Sequence, residues 1–183
     1  MEFSDVNQTD WFYDSVQYVS NKRLMTGTAD DQFSPNATTT RAMVVTILYR
    51  LEGEPAVTGD AHFTDLVSGQ YYLDAVAWAS QNDIVNGVGE NTFAPNEDIT
   101  REQMATILYR YAQYKGLDVS TAADLSGYPD AAQVQTYAQK AMSWAVAEGI
   151  VAGMDDGTLN PAGNASRAQI ATILMRFCES VAQ

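Results

Sequence analysis

The chain of 183 residues contains a single cysteine, Cys178, and a single histidine, His62. One cysteine excludes an internal disulfide and any cysteine-based metal cluster. One histidine removes most imidazole-centred catalysis and His-rich metal sites. Positive charge is scarce as well: 10 Lys and Arg face 23 Asp and Glu, a formal net charge of −13. A phosphate backbone would be repelled at long range, so no nucleic acid partner is expected. No run approaches the roughly 18–20 apolar residues of a transmembrane helix, and no membrane insertion is expected. The opening Met1-Glu2-Phe3-Ser4-Asp5 lacks the basic and apolar regions of a signal peptide and therefore says nothing about compartment. What is abundant is aromatic: three Trp, ten Tyr and six Phe within 46% hydrophobic residues. That content can build a core and does not suit a disordered acidic tail.

The chain repeats itself three times. Phe33-Ser34-Pro35-Asn36 returns as Phe93-Ala94-Pro95-Asn96 and as Leu159-Asn160-Pro161-Ala162. Gly27 returns at Gly87 and Gly153, and Thr40-Arg41-Ala42 returns as Thr100-Arg101-Glu102 and Ser166-Arg167-Ala168. An upstream mark recurs as Phe3-Ser4-Asp5, Phe63-Thr64-Asp65 and Tyr128-Pro129-Asp130. Units of this length imply one supersecondary element per repeat, stacked against its neighbours.

Each unit reads as helix, loop, helix. The first helix is expected to start near Trp11, Tyr71 or Tyr137 and to run to about Arg23, Asp83 and Gly149, with Trp78 and Trp144 in its apolar stripe. The second starts at Thr40, Thr100 or Ser166, which are good N-caps; Gln103 and Gln169 sit where a capping box needs them, and repeat 1, with Met43 there, keeps only the cap. Apolar residues at 44, 45, 47, 48 and 51 recur in the other units, a wide stripe that needs a partner. Three such helices satisfying one another around a shared axis predict an all-α, pseudo-threefold helical bundle. Linkers are expected at Glu52–His62 and Gln113–Gly127, giving units 1–60, 61–123 and 124–183.

Six of the ten cations hold matched positions. Arg50, Arg110 and Arg176 lie near helix C-termini, where a cation complements the macrodipole. Arg41, Arg101 and Arg167 lie at the first helical position, where the dipole opposes them. Two readings stand for the second set: with free helix-start N–H groups each forms a site for a carboxylate or phosphate, or each pairs with Asp5, Asp65 or Asp130. Because the dipole opposes these arginines, replacing one with Ala is expected to leave folding nearly intact. Asp14 and Asp74 are matched on the first helix, with Lys140 in the third unit, and could accept hydrogen bonds from sugar hydroxyls. Gly27, Gly87 and Gly153 answer to backbone conformation or to close ligand approach. Trp11 and Tyr71, with Tyr137 at the matched place, could stack on a sugar face or form a hydrophobic helix entry. The acid pairs at Asp30-Asp31 and Asp155-Asp156 do not follow the EF-hand pattern and read as solvated turns. With no Gly-x-Ser-x-Gly and no P-loop, neither an enzyme centre nor a cofactor or metal site is expected.

Together, Phe-x-Asp, an aromatic at the first helix, the Gly turn, Phe-x-Pro and Ser/Thr-Arg-Ala resemble the S-layer homology family across nearly the whole chain. The resemblance implies three modules in a three-pronged pseudo-trimer. It implies a bacterial surface protein held non-covalently at the cell wall or S-layer, outside the cell. The implied ligand is an anionic secondary cell-wall polysaccharide bearing pyruvylated N-acetylmannosamine, held in inter-module grooves, with S-layer neighbours reached through the parent protein. By position it makes Arg41, Arg101 and Arg167 central to binding, with Thr40, Thr100 and Ser166 beside them, and it favours the ligand reading. The motif's closing Glu is replaced by Met43, Gln103 and Gln169, and Lys140 replaces the acid of the other units, so the three grooves are not equivalent. Repeat 2, with Asp74, Gly87 and a full capping box, is expected to be the strongest site. A protein-binding or self-assembly module using the same grooves is the alternative function, and a wall glycosidase using two carboxylates a third.

Overall fold

The computed structural model describes residues 3–180. Six α-helices organise them: α1 (Tyr13–Asn21), α2 (Arg41–Leu51), α3 (Leu73–Gln81), α4 (Arg101–Tyr114), α5 (Gln139–Ala147) and α6 (Arg167–Ser180). The described residues form isolated β-bridges but no strand, so the chain is all-α.

The short helices α1, α3 and α5 begin two residues later than the pattern suggested. Phe12, Tyr72 and Ala138 stand at their N-caps without a side-chain bond, and Trp11, Tyr71 and Tyr137 lie exposed in the turn before. Their ends also come early. Arg23, Asp83 and Gly149 take φ of 56°, 58° and 69°, and the N–H of the next residue reaches back to Val19, Ala79 or Ala145. This left-handed stop suits Gly149, whereas Arg23 and Asp83 carry a Cβ there. Trp78 and Trp144 are buried, as their place in the stripe requires.

The long helices start where the caps predict. Thr40 Oγ1 accepts from the Met43 N–H, while Thr100 with Gln103 and Ser166 with Gln169 exchange both bonds of a capping box. Their stripes are buried, with Leu48, Leu108 and Leu174 fully enclosed.

The partner of each stripe differs from the expected one. The closest helix pairs are α1 with α6, α3 with α2, and α5 with α4. Each short helix therefore lies on the long helix of the preceding repeat, and the first repeat lies on the last. A short helix has an apolar face of its own to bury, and the long helix supplies the surface. The long helices do meet, through Tyr111 and Phe177, whose ring centroids are 5.8 Å apart.

The loops follow the same cycle. Arg41 and Ala42 donate their N–H groups to the carbonyls of Glu97 and Pro95. Arg101 and Glu102 donate to Gly163 and Pro161, and Arg167 and Ala168 to Ala37 and Pro35. At the centre, Thr39, Ile99 and Ala165 are fully buried and joined by bonds from the Ile99 N–H to Thr39 O and from the Ala165 N–H to Ile99 O. The linkers are docked rather than loose: Tyr49 donates to Pro55 O, Gln81 to Thr58 O, and Ser143 to Ala123 O.

Candidate ligand grooves

The repeated motif residues hold one loop together. The carboxylate of Asp5 accepts from the N–H groups of Phe33 and Ser34, that of Asp65 from Phe93 and Ala94, and that of Asp130 from Leu159 and Asn160, all at 2.7–2.9 Å. Those bonds hold Ser34, Ala94 and Asn160 at φ of 58°, 57° and 48°, a conformation that L-residues avoid. For Asp65, burial raises the carboxyl pKa, but the N–H donors of Phe93 and Ala94, its own N–H and the Arg41 charge together outweigh it and leave the group below its ordinary value. Gly27 and Gly87 are required by close approach rather than by a left-handed φ. A Cβ on Gly27 would lie 2.7 Å from the carbonyl oxygens of Ala29 and Gln32 and 2.8 Å from the Phe3 ring. Gly153 is less tightly enclosed, with the Tyr128 ring edge at 3.0 Å.

Arg41, Arg101 and Arg167 are buried, at 4%, 4% and 8% exposure. None turns its guanidinium to its own helix start. Arg41 Nε donates to Phe93 O at 2.9 Å and its Nη2 to Asn86 O at 3.3 Å. Arg101 does the same to Leu159 O and Ala152 O at 2.8 and 2.7 Å, and Arg167 to Phe33 O and Thr26 O at 2.7 and 2.6 Å. Each arginine thus clamps the Gly turn and the Phe-x-Pro loop of the following repeat. Arg41 and Arg167 also lie over the rings of Phe93 and Phe33. Burial lowers all three pKa values, opposed by Glu97, Tyr137 and Asp65 for Arg41, by Asp130 for Arg101 and by Asp5 for Arg167.

Two sequence expectations change here. The helix-start N–H groups are not free: the first two bond to the next repeat, and the third bonds to the cap oxygen of Thr40, Thr100 or Ser166. Those cap oxygens are likewise engaged. Replacing a helix-start arginine also removes two bonds and a buried side chain, so the expected near-neutral effect on folding does not follow.

Two of the cavities between repeats are assembled from all three. The first, about 400 Å³, is lined by Arg41 from repeat 1, by Asn86, Gly87, Gln103, Thr106 and Arg110 from repeat 2, and by Tyr137 from repeat 3. The second, about 570 Å³, has the matched set: Arg101, then Gly153, Gln169, Thr172 and Arg176, then Trp11. Gly87 therefore shares a groove with Arg41, and Arg101 serves Gly153, rather than each site lying within one repeat. By repeat register the matching residues of the third set are Arg167, Gly27, Thr46, Arg50 and Tyr71, with Met43 in place of glutamine, and Arg167 reaches the Thr26 carbonyl beside Gly27. Tyr71 lies there within electrostatic reach of Arg50.

The first groove has a fixed aromatic wall. Glu102, buried at 5% exposure, accepts from the Tyr137 hydroxyl at 3.1 Å and from the Gln135 N–H at 3.0 Å. Burial and then the Glu102 charge push the Tyr137 hydroxyl up to about 12, with Arg41 and Arg110 acting against them. Burial lowers the Arg110 pKa, and Asp83 and Tyr137 oppose it. Arg110 and Arg176, expected at helix ends for their charge, are the groove cations that hold no hydrogen bond or ion pair among the described residues. Their matched register was the available signal. Asp14 and Asp74 are both exposed, and Asp74 borders a separate cavity beneath the 59–61 linker rather than the arginine groove. Asp156 accepts from the N–H and hydroxyl of Thr158 in a turn. Among the described residues no group of three His, Cys, Asp or Glu is placed to hold a metal ion. No described helix is long and apolar enough to cross a membrane.

Three interlocked helix-loop-helix units with cationic, aromatic-walled grooves define a tandem-repeat binding module. The S-layer homology domain model matches residues 2–42, 62–105 and 127–171, and the chain belongs to that family in three tandem copies. It is a cell-surface anchoring module. It is 33% identical over 98% of its length to an endoglucanase of Bacillus sp. (strain KSM-635), of which it covers 19%. It is 32% identical over 92% to the surface-layer 125 kDa protein of Lysinibacillus sphaericus, covering 14% of it. Against the cellulosome-anchoring protein of Acetivibrio thermocellus it is 27% identical over 80%, covering 33%. The chain thus spans a third or less of each of these relatives.

Proposed function

We propose that this chain anchors a larger surface protein non-covalently to the bacterial cell wall by binding an anionic, pyruvylated secondary cell-wall polysaccharide in the grooves between its modules. The three modules, 1–60, 61–123 and 124–183, form a pseudo-threefold pseudo-trimer, a reading supported by the cyclic order of helix pairs and loop bonds. Such an assembly buries the loops of each module only when the next is present, so the module works as one body.

The observation that carries the ligand class is the paired groove. In a chain of net charge −13, each of two cavities gathers a helix-start arginine, a second arginine without a bonded partner, a glutamine, a threonine and an exposed aromatic ring. An arginine fork recognises a carboxylate, an aromatic face stacks on a sugar ring, and amide and hydroxyl groups meet sugar hydroxyls. Arg110 and Arg176 contact the carboxylate directly. Arg41 and Arg101 shape the two grooves from beneath and present their remaining Nη1 edge, while Gly87 and Gly153, packed against Phe63 and Tyr128, let the turns that line the grooves close. Arg167, Gly27 and Tyr71 form the third groove, with the cap residues Thr40, Thr100 and Ser166 fixing the helix starts. Asp14 and Asp74, exposed outside the arginine grooves, meet hydroxyls of the sugar chain beyond them. Binding, not turnover, is the function. The parent protein's position in a surface layer brings S-layer neighbours within reach.

The test is titration of a pyruvylated disaccharide into folded Arg110→Ala and Arg176→Ala variants. Each change removes a charged hydrogen bond of roughly 1.5–3 kcal/mol, so affinity for the altered groove falls at least tenfold while melting temperature changes little. Unaltered binding in both variants would contradict the assignment.

A further inference from the structure

The first groove does not end at Tyr137. Next to it lies a cavity of about 340 Å³ lined by α4 and the start of α5, which shares Thr106, Arg110 and Tyr137 with the groove. Its remaining polar lining includes Gln113, Thr136, Gln139 and Lys140. Two of the chain's ten cations, Arg110 and Lys140, thus border one cavity that no carboxylate lines. Lys140 is exposed and makes no ion pair or hydrogen bond among the described residues.

The matched positions sharpen the contrast. Repeats 1 and 2 carry Asp14 and Asp74 where repeat 3 carries Lys140. The groove around Gly153 is also lined by Asp155, with Asp14 three residues beyond its wall residue Trp11. An anionic chain leaving that groove past its aromatic wall meets negative charge, whereas one leaving the first groove past Tyr137 meets a lysine. Like charges repel and opposite charges attract at these separations, so the exits differ in sign as well as strength.

We infer that the cavity bounded by Arg110, Tyr137 and Lys140 is a second anionic-sugar subsite, contiguous with the first groove, which takes the acidic substituent of the next repeat unit of the same polysaccharide. The inference rests on the glycan-binding reading above and adds that the first groove reads two charged units while the groove of Arg101 and Arg176 reads one. Arg110 stands between the two units and donates to both. Lys140 supplies the charge specific to the second, and Thr136 and Gln139 offer hydroxyl and amide partners for its ring.

The test compares two defined fragments of the wall polymer, one with a single pyruvylated repeat unit and one with two, titrated into the intact chain and into Lys140→Ala and Lys140→Asp. Because Lys140 is exposed, both variants should fold, and thermal melts check this. In the unaltered chain the two-unit fragment binds the first groove more tightly than the one-unit fragment. Lys140→Ala lowers two-unit affinity roughly three- to fivefold, the scale of an exposed charge pair, and Lys140→Asp lowers it further by adding repulsion. One-unit affinity is unchanged in both. If the one-unit fragment binds but the two-unit fragment gains nothing, or if the Lys140 variants bind both fragments like the unaltered chain, the second subsite is wrong and the glycan reading survives. If neither fragment binds the unaltered chain, both readings fall together.

Discussion

Replacing Arg101 with alanine should destabilise the whole module. Arg101 lies at the helix start of repeat 2, yet its Nε and Nη2 donate to Leu159 O and Ala152 O, 58 and 51 residues away in repeat 3. The bond to Leu159 is buried, and the side chain is 4% exposed. Two bonds from a charged donor contribute about 1.5–3 kcal/mol each, and their loss leaves two carbonyls short of a partner. Against this stand relief from an unfavourable helix-start charge, roughly 0.3–1 kcal/mol, and from dehydration of the guanidinium. The net expected loss is about 2–4 kcal/mol, which lowers Tm by roughly 5–15 °C for a chain of this size. Lysine should recover less than half of it, because a single ammonium cannot fork between two carbonyls. The assay is urea unfolding followed by Trp fluorescence, with Arg110→Ala as the groove-facing comparison. An Arg101→Ala chain that unfolds at the same urea concentration as the unaltered one would refute the clamp.

Three further perturbations probe the same frame. Leu108→Ala, at a fully buried site in α4, should cost about 2–5 kcal/mol, and differential scanning calorimetry should show one transition because the core is continuous through all repeats. Gly87→Ala should cost about 1–3 kcal/mol, since its Cβ would lie 2.9 Å from Gly89 O and 3.0 Å from the Phe63 ring; Gly153→Ala, measured by the same melts, should cost less. Asp65 has a depressed folded pKa, so its contribution to stability is full above the unfolded value of about 3.9 and is lost as pH falls through the folded value. Unfolding free energies of the unaltered chain and Asp65→Asn should therefore converge on acidification below about pH 4, and a constant gap would contradict the role given to the Phe93 and Ala94 bonds.

The parts of this architecture set by neighbouring residues were legible in the sequence. Thr100 and Gln103 form their capping box three residues apart, and the 104, 105, 107 and 108 stripe is buried as its spacing demands. Partners at long range were not. Nothing local reveals that Arg167 reaches Phe33 across 134 residues, or that α6 closes the cycle on α1. The dipole opposes a helix-start arginine taken alone on its own helix, and the neighbouring loop carbonyls reverse the consequence. Equally, Arg110 and Arg176 matched a helix-end role by position, and only the packing of three repeats turned them into groove walls. Glu102, which holds Tyr137, stands where the other repeats have Ala42 and Ala168, so repeat comparison alone gave it no role.

The central claim, anchorage through an anionic wall polysaccharide, is tested most directly by co-sedimentation of the chain with purified cell walls of the organism that makes it. Walls are compared before and after mild acid removal of the secondary polymer, with a folded Arg110→Ala/Arg176→Ala chain alongside. The unaltered chain is expected to pellet with intact walls and to stay in solution with stripped walls, and the double variant to pellet with intact walls far less than the unaltered chain. Undiminished pelleting with stripped walls would contradict that claim.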